Sequence, residues 1–328
     1  MVRRALATFF LMLLLAWPAM ADNARPYPLW NSERLQIESP SLGRSYEFLV
    51  TLPPGYAANP DRRYPVLYYT DAPQSVALLA GMVRRLRDGG QGLEDAILVG
   101  LSYAVGESGE TSRRRDYTPT THGDIDARSN MAGRAVVYGG AEAYRLHLLN
   151  EAFPELERRY RIDPARRTYL GHSYGGLFGA HVLLTAPEMF RQYVLISPSL
   201  WYDRRLMLAR ERGYAMRHKD LPARLLLLIG GDETVPDPDS EPHGRARFAM
   251  VEDMAELARN LASRHYPGLS VEQRVFPGEN HASVYVPAAN AGLRWALPGS
   301  GRPPHIPCEV PGCRLPFQPH QPPVSAFN

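Results

Sequence analysis

A serine between two glycines is the residue whose setting most clearly predicts chemistry. Gly171, Ser173 and Gly175 form a G-x-S-x-G pattern. An apolar run at 167–170 precedes it and predicts a strand, and a run at 177–184 follows it and predicts a helix. This is the setting of a nucleophile elbow, a turn so tight that the residues two before and two after the serine must lack side chains. The alternative is a glycine-rich turn that carries a solvated serine.

The two groups that activate a serine follow in the expected order along the chain. A serine hydroxyl is a weak nucleophile at neutral pH, so it needs a base within hydrogen-bond reach and an acid that orients the base. Asp232 and Glu233 come shortly after a predicted strand at 225–229, and His281 follows a predicted strand at 271–276. The carboxyl ends of parallel strands lie at one edge of a sheet. We therefore expect these groups to meet near the serine.

His281 is the preferred base, whereas the acid stays open. The other histidines fall in predicted helices, in linkers, in the tail or beside the nucleophile, where His172 is expected to point away from the serine hydroxyl. Asp232 and Glu233 are adjacent, so only one of them can face the base. Glu233 is preferred and Asp232 is the alternative. Two carboxylates in neighbouring loops are further candidates if those loops fold back: Glu279 and Asp237.

An acyl-transfer site also needs two backbone N–H groups aimed at the developing oxyanion. The geometry of the elbow assigns the first to Tyr174, whose phenol is in addition a candidate substrate contact. The second is expected from the loop after the predicted strand at 64–70. It falls on Asp71 or Ala72, because Pro73 has no N–H to donate.

Basic and aromatic residues indicate where a substrate binds. Arg113, Arg114 and Arg115 form a basic run within 102–138, a stretch that lacks periodicity and reads as a long loop. Such a run can clamp an anionic or phenolate substrate, but a basic run in a loop is usually solvated. Trp201 is a candidate pocket wall, with burial in the core as the alternative.

No metal or other cofactor is expected. His122, Asp124 and Asp126 lie close together, but their spacing matches no recognised metal site. The only cysteines are Cys308 and Cys313. In an exported protein, a disulfide across this short loop is preferred over a metal site.

The apolar runs predict a mostly parallel sheet. Alternating runs at 35–38 and 46–52 indicate antiparallel strands, and continuous runs further along indicate buried strands separated by helices. The continuous runs lie at 64–70, 95–101, 167–170, 193–197 and 225–229, and the alternating run at 271–276 predicts an edge strand. Helices are predicted at 75–87, 177–184 and 247–264, with another that opens at Gly139-Gly140.

Composition and the N-terminal residues predict an exported enzyme. The 328 residues are 45% hydrophobic, and 37 basic against 34 acidic residues give a net charge of +3, which argues against a nucleic-acid partner. Residues 1–21 combine a basic start, an apolar run and a small-x-small ending. This favours a secretory signal peptide over a membrane anchor, since a span needs roughly 20 apolar residues. We expect one domain over 22–297, a Pro-rich tail over 298–328, and a periplasmic or secreted location.

Several motifs together resemble the esterase D-like α/β-hydrolases, and most closely their enterochelin esterase-like branch. The matching stretches are at 115–119, 139–142, 169–179, 196–201 and 278–284. The resemblance implies an α/β-hydrolase fold, with a mostly parallel central sheet, antiparallel N-terminal strands and helices on both faces. It also implies Ser173 as nucleophile, His281 as base and an acid at Glu233, while some members work with a Ser–His pair alone.

The resemblance also bears on the substrate. In such enzymes a basic loop helps to receive a catecholate ligand, which would give residues 113–115 a role. The oxyanion loop departs from the pattern, because relatives commonly have Leu-Asp-Gly where this chain has Thr70-Asp71-Ala72-Pro73.

The leading hypothesis is an exported serine carboxylic-ester hydrolase that acts through an acyl-enzyme, with siderophore trilactones among its esters. One alternative is a broad-specificity carboxylesterase for short acyl groups. A second alternative is a catalytically silent hydrolase fold that binds a ligand. The expected partner is a small-molecule ester, such as a ferric siderophore. Neither nucleic acid nor a membrane span is expected, and the protein is expected to be a monomer or a weak dimer.

Overall fold

A computed structural model describes residues 27–87, 92–123, 128–235 and 248–299. Several sequence-based predictions therefore fall outside the described residues: the signal peptide at 1–21, the two cysteines, Asp124, Asp126, Asp237 and nearly all of the tail.

The described residues form one sheet of eight strands in the order β1-β2-β4-β3-β5-β6-β7-β8. The two N-terminal strands pair antiparallel with each other, and β2 is also antiparallel to β4; all other pairs are parallel. The strands are β1 Ser32–Ser39, β2 Arg44–Thr51, β3 Tyr64–Thr70, β4 Ile97–Ala104, β5 Ile162–His172, β6 Gln192–Ile196, β7 Arg224–Gly230 and β8 Ser270–Phe276. The predicted mostly parallel sheet with antiparallel N-terminal strands is confirmed.

Continuous apolar sequence explains why the central strands are buried on both faces. Every residue of β3 is buried, and Leu67 and Tyr68 point to opposite faces because successive side chains of a strand alternate. Leu67 belongs to a buried cluster with Leu79 and Leu293, which come from helices on one face. Tyr68 belongs to a second cluster with Phe178, which comes from a helix on the other face. The sheet is thus covered on both sides, and its carboxyl edge remains available for a site.

Eight α-helices occur in the described part of the chain. They are α1 Ala72–Leu86, α2 Gly109–Asp116, α3 Ala141–His147, α4 Phe153–Arg159, α5 Tyr174–Leu183, α6 Tyr202–Arg217, α7 Met250–Ser263 and α8 Tyr285–Ala296. A π-helical turn at Leu148–Ala152 joins α3 to α4, and Pro154, which has no N–H to donate, lies shortly after this turn. Of these eight, none is long and apolar enough to cross a membrane.

The expectation that 102–138 lacks regular structure is wrong at α2. This helix begins after Ser108, whose hydroxyl accepts a hydrogen bond from the Thr111 N–H at 3.2 Å. The cap satisfies one of the unpaired amides at a helix start. The helix places the basic run of residues 113–115 on a rigid element, so its three side chains point in different directions.

Candidate active site

Ser173 lies in the turn between β5 and α5, with a backbone φ of 60° and ψ of −118°. Close packing explains why glycines flank it. A Cβ added to Gly171 would lie 2.4 Å from the carbonyl oxygen of Gly175, and a Cβ added to Gly175 would lie 2.2 Å from Thr70 Oγ1. The Ser173 N–H donates to the Ile196 carbonyl at 3.0 Å, which ties the turn to the neighbouring strand. The strand–turn–helix setting predicted for the elbow is present.

Glu233 and His281 are in direct contact. Nδ1 of the His281 ring lies 2.6 Å from Oε2 of Glu233, and the Glu233 side chain is 3% exposed. The other carboxylate oxygen, Oε1, accepts hydrogen bonds from Ser197 Oγ at 2.5 Å and from the Gly230 N–H at 3.0 Å. Three donors therefore hold this buried carboxylate, and it in turn fixes the orientation of the imidazole.

Asp232, the alternative acid, is exposed and lies on the other side of the short 3₁₀ turn Gly231–Glu233. Its backbone N–H donates to the carbonyl of Glu279 at 3.1 Å. Within the described residues, neither Asp232 nor Glu279 forms a side-chain hydrogen bond or ion pair with His281. Of the described acid candidates, only Glu233 faces the imidazole.

Ser173 Oγ is buried and has Ser199 Oγ as its polar neighbour at 3.5 Å. No hydrogen bond joins Ser173 Oγ to His281 within the described residues. Catalytic hydrogen bonds are often long in a ligand-free site and shorten when substrate binds.

His172 packs directly on the proposed base. Its ring centroid lies 4.7 Å from that of His281, and its Nε2 lies 2.9 Å from the His281 carbonyl oxygen. The carbonyl can only accept, so Nε2 of His172 carries the proton. The Tyr285 ring also packs against His172 in an edge-type arrangement, with ring centroids 5.6 Å apart. The sequence did not predict this contact between His172 and His281. It also did not predict that Ser197 donates a hydrogen bond to Glu233.

Two helix starts converge on the elbow. Tyr174 is the first residue of α5 and Ala72 is the first residue of α1, so neither N–H has a partner within its own helix. Asp71 precedes α1 with a left-handed backbone, φ 58° and ψ 44°. Thr70 packs against Gly175, so the ends of β3 and β5 adjoin here. In the part of the chain that the structure describes, Tyr174 and Ala72, both predicted oxyanion donors, thus have amides without a partner in their own helices.

A comparison with protein families assigns the chain. The family model Esterase, described as "Putative esterase", matches residues 39–295. The chain belongs to the esterase family. This esterase is 32% identical over 291 residues to the ferri-bacillibactin esterase BesA of Bacillus subtilis, covering 87% of this chain and 94% of BesA. It is also 26% identical over 293 residues to the siderophore triacetylfusarinine C esterase of Aspergillus fumigatus, covering 84% and 96%.

A solved structure agrees with the fold. The esterase aligns with the BES protein from Bacillus cereus at a TM-score of 0.68 and 27% identity, over 84% of this chain and 99% of that one. The predicted α/β-hydrolase fold and the resemblance stated from the motifs are both confirmed. The protein is therefore a carboxylic ester hydrolase.

An aromatic surface borders the elbow of the esterase. The Tyr174 ring lies 6.1 Å from Trp201 and meets the edge of Tyr202 at 6.0 Å. Trp201 stacks on Phe248 at 4.1 Å and remains half-buried, so it lines the surface beside the serine. Burial, followed by the nearby phenol of Tyr138, raises the pKa of Tyr174 to about 12, so its hydroxyl is a neutral donor at pH 7.

The three arginines of α2 have different partners. Arg113 reaches the elbow: its Nε lies 2.7 Å from Asp71 Oδ1, and its guanidinium carbon lies 5.7 Å from the centroid of the Tyr174 ring. Arg114 instead pairs with Glu110 and donates to the carbonyl of Arg128 at 2.9 Å.

Arg115 is held in a buried ion-pair network. Both oxygens of Glu107 accept from its Nη1, at 2.8 and 2.7 Å, and Asp116 accepts from Nε and Nη2, both at 2.8 Å. These carboxylates accept four hydrogen bonds from the guanidinium, whose side chain is 12% exposed, so Arg115 is committed to this network. Of the three arginines in this basic run, Arg113 is the one that contacts residues of the elbow, whereas Arg114 and Arg115 pair with carboxylates away from it.

A metal site has no support in the described part of the esterase. No group of three or more His, Cys, Asp or Glu side chains there is arranged to hold a metal ion. The exposed His122 approaches the half-buried Asp203, with Nδ1 3.6 Å from Oδ2.

Proposed function

We propose that the esterase hydrolyses its substrate through an acyl-enzyme on Ser173, with His281 as general base and Glu233 as the orienting acid. Glu233 holds Nδ1 of the imidazole, so Nε2 is the nitrogen left to face the serine. The observation that carries the proposal is the 2.6 Å contact between Glu233 and His281, at the sheet edge that also bears the elbow.

The chemistry follows from these positions. Nε2 of His281 takes the Ser173 Oγ proton as Oγ attacks the ester carbonyl, and the tetrahedral oxyanion receives hydrogen bonds from the N–H groups of Tyr174 and Ala72. Collapse breaks the ester C–O bond, and the imidazolium returns its proton to the departing alkoxide. A water molecule, deprotonated by the same imidazole, then attacks the acyl-enzyme. The acyl C–Oγ bond breaks, the imidazolium returns its proton to Ser173 Oγ, and the carboxylic acid is released.

Activity and covalent labelling test this mechanism together. We expect the protein to hydrolyse p-nitrophenyl acetate or butyrate and to be labelled by a fluorophosphonate. Ser173→Ala should abolish both the activity and the labelling, and His281→Ala should abolish the activity. A wild-type protein that is neither active nor labelled would contradict the mechanism and favour a ligand-binding role.

We further propose that siderophore esters are the physiological substrates. Two relatives with alignments over most of their length carry siderophore names: BesA and the A. fumigatus esterase. The surroundings of Ser173 suit a ligand with aromatic groups, because Tyr174 and Trp201 supply rings beside the elbow.

A comparison of kcat/KM between substrates distinguishes this proposal from broad esterase activity. Ferric and iron-free catecholate trilactones should be hydrolysed with a higher kcat/KM than p-nitrophenyl acetate. Rapid turnover of short acyl esters with no turnover of trilactones would instead favour a general carboxylesterase.

Export is proposed on the signal-like residues 1–21. Expression of the full chain in a Gram-negative host should yield a periplasmic protein whose first residue, by mass spectrometry, is Asp22. Retention of residue 1 in a cytoplasmic product would contradict it.

A further inference from the structure

The loop that precedes α1 contains an aspartate in a costly conformation. Asp71 has φ 58° and ψ 44°, a left-handed backbone that costs a residue with a side chain roughly 1–2 kcal/mol. It occupies the N-cap position of α1, where an aspartate usually accepts a hydrogen bond from the first turn, yet its side chain makes no capping bond. The carboxylate has other partners.

Those partners come from β4 and α2. The Tyr103 hydroxyl donates to Asp71 Oδ1 at 2.9 Å, and Nε of Arg113 lies 2.7 Å from the same oxygen. The Arg113 side chain is 26% exposed. Burial opposes its charge, but Asp71 together with the phenols of Tyr117 and Tyr103 raises the pKa of Arg113 above its ordinary value. The ion pair is therefore a charged contact in a partly desolvated setting, where such contacts are stronger than at a fully exposed surface.

The same guanidinium also contacts the elbow. It lies over the Tyr174 ring with a separation of 5.7 Å, within the range of a cation–π interaction. The N–H groups of Tyr174 and Ala72 have no partner within their own helices, and the backbone of Asp71 sets the direction of the second. Pro73 follows immediately and has no N–H to replace it. Arg113 is thus joined to one residue on each side of the oxyanion position.

From these contacts, and resting on the proposed function, we infer that Arg113 is a positioning residue that holds the two oxyanion donors in register. Its ion pair with Asp71 keeps the loop in the left-handed conformation that presents the Ala72 N–H. Its contact with Tyr174 fixes the start of α5 relative to that loop. Within the described residues, Arg113 forms no hydrogen bond or ion pair with Ser173, His281 or Glu233.

The competing role for Arg113 is direct binding of an anionic substrate. The two roles differ in which kinetic constant depends on the arginine. A positioning residue affects the transition state of every ester, whereas a substrate-binding cation affects KM for anionic esters alone.

The test therefore uses two esters with one leaving group: p-nitrophenyl acetate, which is neutral, and mono-p-nitrophenyl succinate, which is anionic. For Arg113→Gln we expect kcat to fall about tenfold or more on both esters, with KM within about twofold of wild type. Affinity for a trifluoromethyl ketone, which forms a tetrahedral adduct, should fall by the same factor as kcat/KM. Fluorophosphonate labelling should persist, because Ser173 and His281 are intact.

Further variants test the same inference if Arg113→Gln folds poorly. Arg113→Lys retains the charge and should recover part of kcat, and Tyr103→Phe removes one hydrogen bond to Asp71 and should lower kcat about threefold on both esters. Asp71→Asn combined with Arg113→Gln should be no worse than the more damaging single variant. Arg158→Gln is the control, because Arg158 pairs with Glu155 on the exposed face of α4 and should behave as wild type.

Two outcomes would overturn the inference. The first is a loss confined to the anionic ester and seen in KM, which would make Arg113 a substrate-binding residue. The second is an Arg113→Gln protein as active as wild type on both esters, with both activities abolished by Ser173→Ala. That result would leave the proposed function standing and remove the positioning role.

Discussion

Glu233 and His281 share a 2.6 Å contact between Oε2 and Nδ1, at the carboxyl ends of two adjacent strands. The second oxygen of the carboxylate is already held by Ser197 Oγ and the Gly230 N–H. A carboxylate fixed in this way can rotate little, so it acts on the orientation and tautomer of the imidazole.

Replacing Glu233 by Gln should lower kcat by about 10³-fold or more, since an amide can present its NH₂ to Nδ1 and so favour the wrong tautomer of His281. The measurement is kcat on p-nitrophenyl acetate, with the melting temperature recorded in parallel. Asp232→Ala is the matched control and should retain near wild-type activity, because Asp232 is exposed. Equal and mild losses for Glu233→Ala and Asp232→Ala would instead indicate a Ser–His pair that works without an acid.

His172 should matter through its hydrogen bond to the His281 backbone. His172→Phe keeps a ring against the imidazole but removes the donor at 2.9 Å from the His281 carbonyl, so we expect kcat to fall about tenfold. His172→Gln retains an N–H donor and should lie closer to wild type. Steady-state kinetics, with melting temperatures as the check on folding, distinguish the variants. If Phe and Gln variants lose activity equally, the hydrogen bond is not the relevant contact.

Two glycine substitutions separate the tight elbow from ordinary helix positions. Gly175→Ala places a Cβ 2.2 Å from Thr70 Oγ1, so we expect a loss of about 1–3 kcal/mol in unfolding free energy together with loss of activity. Gly81→Ala is the control: it lies in the interior of α1, and no atom is within 4 Å of the added Cβ. It should stabilise the protein by about 0.5–1 kcal/mol. Urea titrations of both variants test this, and equal unfolding free energies would contradict the close contact at the elbow.

Much of the site follows from the sequence because continuous apolar runs predict the strands and the strands order the loops. The run at Tyr64–Thr70 gives β3 with the predicted bounds, and the elbow lies where β5 meets α5. The sequence alone does not decide which residue is the acid, because Asp232 and Glu233 are adjacent and both are carboxylates. Only the 3₁₀ turn after β7 buries Glu233 and leaves Asp232 in solvent.

The different roles of the three arginines in the basic run could not be predicted from the sequence, for another reason. Apolar periodicity is what reveals a helix in a sequence, and α2 is too polar to display any. Without the helix, Arg113, Arg114 and Arg115 are equivalent. On a helix, consecutive side chains point about 100° apart, so one reaches Asp71, one pairs with Glu110 and one joins a buried network.

His181 should make the stability of the protein depend on pH. It lies in α5, where Nδ1 accepts a hydrogen bond from Arg210 at 2.6 Å and Nε2 donates to Glu142 at 3.1 Å. Burial, together with the positive charge of Arg210, lowers the pKa of His181 to about 4. The unfolded chain takes up this proton near pH 6.5, well before the folded protein does. The stabilisation is therefore complete above pH 6.5 and is lost as the pH falls toward 4.

Between pH 7 and pH 5 this linkage should lower the unfolding free energy by about 2 kcal/mol. His181→Gln can keep both hydrogen bonds but cannot titrate, so its unfolding free energy should fall less over the same interval. Urea titrations of both proteins at pH 7 and pH 5 give the two differences. Carboxylates elsewhere titrate in both proteins alike and cancel in the comparison. If both proteins lose the same free energy, His181 already takes up its proton in the folded state, and the contact with Arg210 would have to break on acidification.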